Sequence, residues 1–385
     1  MNRTIIDIHA IQTVPPSNLN RDDTGSPKTA IFGGVNRARV SSQAWKRAIR
    51  LDFKSVLDDS DLGRRTRQVV DILAKRICAV DDTLSTAEAI ELATAAFKAG
   101  GITIEAKAKT KKTEKDNQDE QEEKIPGASY LIFLSNNQYD KLATAIVEAH
   151  HAERKLDKKI FKTVTKSENS IDIALFGRMV ADLPDINVDA ACQVAHAISV
   201  HGVSNEFDYY TAVDDIKEDS KETGAGMIGT IEFNSSTLYR YATLDVDALE
   251  TNLGDSEATV RAVRAFLSSF ITSMPSGKQN TFANRTLPDA VVVSLRDSQP
   301  VSYATAFEVP IESADKTSRV TAAAEALREY ATDVATTYDD LAPLKTWVMH
   351  VGGATAAVTQ LGEALPQKDL LTAVENAVRE RVGMP

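Results

Sequence analysis

Residues 17–50 read SNLNRDDTGSPKTAIFGGVNRARVSSQAWKRAIR. Between positions 21 and 50 stand seven cations, Arg21, Lys28, Arg37, Arg39, Lys46, Arg47 and Arg50, against two acids, Asp22 and Asp23. The whole 385-residue chain nevertheless carries a formal net charge of −11. Upstream, Thr4 to Gln12 reads as a strand with apolar residues on both faces, ended by Pro15-Pro16. A long loop follows, punctuated by Gly25, Pro27 and Gly33-Gly34. Ser41-Ser42 then reads as a helix N-cap and Gln43 to Phe53 as the helix. Trp45, Ala48, Ile49 and Phe53 share one face of that helix, and Gln43, Lys46, Arg47 and Arg50 share another.

Further along, Asp58 to Glu168 shows helical periodicity, interrupted by EAKAKTKKTEKDNQDEQEEK at 105–124. Its six lysines and seven acids read as a solvated loop without a core to join. After Ser170, IDIALFGRM and QVAHAISVHGV read as strands. A polar, acidic, glycine-containing excursion follows, with Phe207, Tyr209 and Tyr210 near its start. GTIEFNSSTLYRYATLD resumes a strand, 257–273 is an amphipathic helix, and 289–295 is a strand. A helix at 318–338, a strand at 346–351 and a helix at 367–382 complete the chain. With the two excursions removed, the order resembles an interrupted βαββαβ module, the ferredoxin-like or RRM arrangement. The expected fold class is therefore α+β.

Composition excludes several classes. The hydrophobic share of 43% and charged share of 26% are those of an ordinary soluble protein. MNRTIIDIHAIQ is not a signal peptide, and apolar runs such as 130–134 are too short to span a bilayer. Two cysteines, Cys78 and Cys192, read as buried thiols and suit a reducing cytoplasm. The six histidines show no zinc spacing, and no P-loop, GxSxG or HExxH motif occurs. No cofactor is expected. Asp22-Asp23 reads either as loop partners for nearby cations or as a Mg²⁺ pair of a nuclease. The cationic helix face reads either as a solvated surface or as a groove for several phosphates. In the second reading the first N–H groups of the helix join Gln43, Lys46 and Arg50, and the loop adds Asn18, Asn20, Arg21 and Lys28. Tyr209, Tyr210 and Val213 either tuck onto a core or stack on a partner.

Six blocks stand in order along most of the chain: SNLNRDDTGSPK, AIFGGVNRARVSSQAWKRAIR, IDIALFGRM, AHAISVH, YYTAVDD and GTIEF…YRYA. Together they resemble the CasC-type backbone subunit of the type I-E CRISPR surveillance complex, Cascade. The resemblance implies an RRM-like palm made of 1–57, 169–201 and 228–385. It also implies a helical fingers insertion at 58–168 and a thumb hairpin at 202–227. It implies copies stacked head to tail along a CRISPR RNA, with other Cascade subunits and, through guide pairing, target DNA as partners. It implies no catalysis by the subunit itself. Carried over residue by residue, Asn20, Arg21, Lys28, Ser41, Gln43, Lys46 and Arg50 are expected at RNA phosphates. Met179 is expected at a displaced-base kink, Tyr209, Tyr210 and Val213 on the thumb, and Lys278 in a basic loop. The competing expectation is a metal-dependent endoribonuclease of the type III backbone kind, using Asp22 or Asp23. A bland third reading is a small-anion-binding module.

Overall fold

The computed structural model describes residues 3–105, 125–154, 157–212, 227–312 and 317–384. The expected loop at 105–124 therefore lies, beyond Glu105, outside the described residues, as do Val213 and the tip of the excursion. Two compact units divide the chain. One takes in Met1–Phe53, Cys192–Asp247 and Val263–Pro385; the other takes in Lys54–Ala191 and Ala248–Ala262.

The first unit is built on a sheet. Its labelled strands are β1 (Ile5–Ser17), β2 (Thr29–Phe32), β3 (Val35–Val40), β4 (Cys192–Val194), β5 (Ala197–Ser199), β6 (Glu206–Ala212), β7 (Met227–Asp245), β8 (Ala290–Arg296) and β9 (Lys345–His350). Across the sheet the order is β9-β8-β1-β7-β5-β3-β2, with β4 and β6 also paired to β7. Helix α1 (Ser42–Val56) lies in sequence between β1 and β4, and α2 (Ser256–Thr272) between β7 and β8. Counting β4 and β5 as one interrupted strand, the chain order is βαββαβ, and the four core strands stand 4-1-3-2 across the sheet, antiparallel to their neighbours. The fold is thus mixed α+β with the ferredoxin-like arrangement read from the sequence.

Both faces of β1 are covered, so both parities of its residues are buried. Ile11 packs with Tyr239, Val292, Val348 and the apolar side of α3 (Arg319–Thr337). Val14 packs with Ala38, Val40, Leu238 and Trp45 of α1. The buried residues of α1 are Trp45, Ala48, Ile49 and Phe53, the four placed on one face by helical spacing. Arg240 of β7 ties the helix down. Its guanidinium lies 3.8 Å from the Trp45 ring centre and 4.3 Å from that of Phe270. Its Nη1 donates to Gln12 Oε1 at 2.6 Å.

Two local expectations are corrected. The strand β1 does not stop at Pro15-Pro16. Its register with β7 shifts between Val14 and Ser17 and then resumes at Ser17 opposite Asn234. Prolines donate no N–H, so they occupy the irregular step of the ladder rather than its end. Residues 171–176 form a helix, Ile171–Phe176, where the sequence reading expects a strand. A six-residue segment with five apolar residues around Asp172 has too few residues for its period to decide. Here the Ser170 hydroxyl donates to Asp172 Oδ1 at 2.7 Å, Ala174 N donates to Ser170 O at 2.9 Å, and Gly177 at φ +80° ends the turn.

The second unit is mainly helical: Val69–Val80, Thr86–Gly100, Asn136–His151 and Lys158–Lys166 enclose a core centred on Leu73, Phe97, Tyr139 and Phe161. Residues 169–191, grouped with the sheet in the sequence reading, go with this unit because Val180, Leu183 and Ile186 are buried in its core. Among the described residues, no helix is long and apolar enough to cross a membrane.

Candidate nucleic-acid interface

Three segments of the first unit converge around Asn18. Its side-chain amide donates to Gly25 O at 3.0 Å and to Glu232 O of β7 at 2.9 Å. Ser26 donates to Glu232 Oε1 at 2.8 Å, and Asn205 donates to Glu232 Oε2 at 3.1 Å. The loop 18–28 is thereby fastened to the root of the β6–β7 ribbon. On its other side, a Cβ on Gly277 would stand 2.2 Å from Leu19 O and 2.7 Å from Asn18 O. Only a glycine lets the 276–278 turn sit so close. Phe282 packs near Phe233 of β7, ring centres 5.6 Å apart. These contacts bring Lys278, at φ +49°, beside the loop that carries Arg21 and Lys28.

The loop also clasps the start of α1. Asn20 O accepts from Lys28 N at 2.9 Å, and Arg21 bridges to Pro27. Asn20 Oδ1 accepts from Ser41 N at 2.9 Å, while Ser41 Oγ accepts from Ala44 N at 3.3 Å. Ser41 is therefore the cap expected from the sequence. Gln43 and Arg47 are exposed along α1, and Lys46 and Arg50 are half-buried on the same side. Lys46 lies near β4. Burial pushes the Cys192 thiol up to about 12, and the Lys46 charge pulls against that rise. Lys28 and Arg39 crowd His196. Partial burial, then these two cations, hold His196 below its ordinary value, and its Nδ1 accepts from Arg39 at 3.1 Å. The spacing of cations along loop and helix suits a chain of anions better than a single one.

The acids of the opening stretch are placed differently from the cations. Asp22 Oδ1 accepts from Thr24 Oγ1 at 2.7 Å, Thr24 N at 2.9 Å and Ser26 N at 3.0 Å. The Thr24 hydroxyl, together with those backbone N–H groups, holds the exposed Asp22 carboxyl below the usual carboxylate range. Asp22 thus closes its own turn. Asp23 is exposed.

The aromatic residues stand on the ribbon. The pairing of β6 with β7 sets Phe207 opposite Glu232, Tyr209 opposite Thr230 and Tyr210 opposite Gly229. Phe207 and Tyr209 share one face by strand alternation and are 67% and 63% exposed. Tyr210, on the other face, is 38% exposed and lies over Gly229, whose added Cβ would meet its hydroxyl at 2.3 Å. Because β7 runs unbroken from this ribbon into the core sheet, the aromatics of β6 are held against an extension of a core strand.

Not every expected residue belongs to this cluster. Met179 lies in the second unit and is 84% exposed, beside a rigidly held neighbour. Buried Arg178 donates to Ile186 O, Phe133 O, Thr165 O and Gln138 Oε1, and burial lowers it to about 10. Two residues of the opening stretch are spent inside the fold. Asn18 is buried in the loop fastening, and Arg37 is buried with its guanidinium donating to Phe32 O, Ser199 O, Phe307 O and Glu308 O. The sequence reading notes Phe207 beside Tyr209 and Tyr210 but does not count it among the expected site residues, although its two-residue spacing from Tyr209 signals a shared strand face. It passes over Glu232, whose two carboxylate oxygens join loop and ribbon; nothing in a lone strand glutamate announces that role.

No curated protein sequence matches the chain. Among solved structures, a chain of a CRISPR RNA-guided surveillance complex described as pre-nicking is 36% identical, with a TM-score of 0.79, covering 97% of this chain and 100% of that one. A chain of another CRISPR RNA-guided surveillance complex is 30% identical, with a TM-score of 0.70, covering 97% and 99%. A family model described as CT1975-like protein matches residues 6–375. Fold and sequence agree over nearly the whole length, and the chain belongs to the CT1975-like protein family.

Proposed function

We propose that this protein is a CRISPR RNA-binding backbone subunit, of the CasC kind in a type I-E Cascade. Copies of it line up along one guide RNA in the cytoplasm, beside other Cascade subunits, and leave the guide bases open for pairing with target DNA. The observation that carries this reading is the convergence of the Arg21–Lys28 loop, the capped start of α1 and the Lys278 turn at the root of an aromatic-bearing ribbon. The loop and helix residues Asn20, Arg21, Lys28, Ser41, Gln43, Lys46 and Arg50 hold phosphates. Tyr209 and Tyr210 on the ribbon, and Val213, which lies outside the described residues, stack on the RNA as thumb residues; Met179 packs at a displaced-base kink. Sequence discrimination is left to pairing, as in RNA-guided systems generally.

The test is co-expression with a CRISPR array and its processing partners, followed by size-exclusion chromatography with light scattering and the 260/280 nm ratio. A large RNA-bearing species is expected from the native chain, and a nucleic-acid-free monomer from Lys46→Glu with Arg50→Glu. A native chain that stays monomeric and free of RNA overturns the reading. If each protomer neutralises about four to six phosphates, log K should fall against log salt with a slope near −3 to −4, and the double reversal should flatten it by about 1.4.

The subunit holds RNA without cutting it. The engagement of Asp22 Oδ1 by three donors of its own turn supports this reading. Assembled complex incubated with complementary RNA and Mg²⁺ should leave that RNA intact. Metal-dependent cleavage abolished by Asp22→Ala or Asp23→Ala would show an endoribonuclease instead.

A further inference from the structure

The strand pair β8–β9 ends in two unlike patches. At one end, Val351 N donates to Asp289 O at 2.9 Å, which holds the start of β8 and the end of β9 together. Leu287 and Val351 are each 63% exposed there, and exposed Arg285 adds a positive charge. The half-buried Asp289 at this end is engaged by its own sheet, its Oδ2 accepting from Thr13 N at 2.7 Å. At the opposite end, Leu344 N donates to Leu295 O at 2.8 Å, and Arg296 donates to Leu341 O. Leu344 and Tyr338 are exposed there, beside exposed Asp339 and Asp340. Lys345 at that end is opposed by Glu363, 3.9 Å away.

Each patch is an apolar pair, but one is flanked by a cation and the other by two acids. Neither suits its own copy, because like charges would meet. Each suits the other. The six paired residues between Ala290–His350 and Leu295–Lys345 separate the patches by roughly 17–20 Å along the strands. A contact between two different patches of identical chains is heterologous, and when its rotation does not close it builds an open filament. We infer that Arg285, Leu287 and Val351 of one copy dock on Tyr338, Leu344 and Asp339-Asp340 of the next. The strands β8 and β9 then run along the filament. This rests on the backbone reading above and names the surface through which one copy meets the next.

Site-directed cross-linking tests it. Leu287→Cys and Leu344→Cys chains, carrying different tags, are co-assembled with guide RNA and treated with a short bismaleimide, whose reach tolerates more than disulfide spacing. A covalent dimer with both tags is expected from the mixture, and a ladder from the double variant. Each single variant alone should give no more product than the native chain with Cys78 and Cys192. Self-linking by one single variant, or no mixed dimer within an assembly that contains RNA, overturns the contact. Absence of any RNA-bearing assembly, read from the 260/280 nm ratio, instead removes the backbone reading and the contact with it. An independent check needs no new thiol. Arg285→Asp should lower the yield of assembled species several-fold, and Asp339→Arg with Asp340→Arg in the same chain should restore it.

Discussion

His9 shows how much of this protein's chemistry is inward. Its ring stacks 4.2 Å from Tyr303 and 5.1 Å from Tyr241, and its Nδ1 shares a 2.9 Å hydrogen bond with the Tyr239 hydroxyl. Burial, and then the nearby Arg296 charge, lower it to about 3. The unfolded chain therefore binds a proton at His9 that the folded chain refuses between about pH 6.5 and 3. Stability is fully present above pH 6.5 and is lost as pH falls through that window. From pH 7 to 5 the loss from His9 alone is about 2 kcal/mol, at about 1.36 kcal/mol per unit. His201 acts in the same direction, lowered mainly by burial. Denaturant melts at pH 7 and pH 5 check this: His9→Gln should show a smaller pH effect than the native chain. An identical drop in the variant would assign the acid sensitivity elsewhere. Asp7, raised by burial and paired with Arg296 at 2.7 Å, has the opposite sign, and its window opens only above the ordinary Asp value.

At the scale of elements, the interface depends on how closely loops approach strands. Gly277→Ala puts a methyl against the carbonyl of Leu19, a backbone atom with no rotamer to yield. The variant should lose roughly 1–3 kcal/mol of stability and bind RNA more weakly, because the Lys278 turn is pushed from the Arg21 loop. Unchanged affinity would detach Lys278 from the groove. The ribbon carries the complementary case. Phe207→Ala and Tyr209→Ala remove exposed rings, so melting should change little, while RNA affinity falls by roughly 1–3 kcal/mol for each ring that stacks on a base. A large loss of monomer stability would put these rings in a core instead. The helix α1 is legible in the sequence, because Trp45, Ala48, Ile49 and Phe53 repeat at its period and Ser41 precedes it. The helix at 171–176 is not, because a six-residue segment carries too little period to separate helix from strand.

Across the whole molecule, charge and core divide the labour. The chain is acidic overall, yet its cations collect at 21–50, which favours one path for a polyanion and discourages indiscriminate nucleic-acid binding. The two units are built on separate cores, so their substitutions should report separately. Phe97→Ala should cost about 3–5 kcal/mol and first raise hydrogen exchange in Val69–Val80 and Thr86–Gly100. Equal loss of protection in β1 and β8 would make the two units one cooperative body.

The βαββαβ order of the core elements, the cationic opening stretch, the helix cap and the apolar face of α1 are local properties of periodicity, capping and composition, and the sequence by itself determined them. The tertiary structure decided which charges face outward. Arg37 and Asn18 look like members of the basic groove, but four carbonyls enclose the first and a loop-to-strand fastening consumes the second. It also decided that Glu232 and Gly277, more than 200 residues from Asn18, complete the same site. Such partners come together only when β7 pairs with β1 and the 276–278 turn closes on the loop. Contacts between residues so distant in sequence leave no trace in the local pattern of either segment.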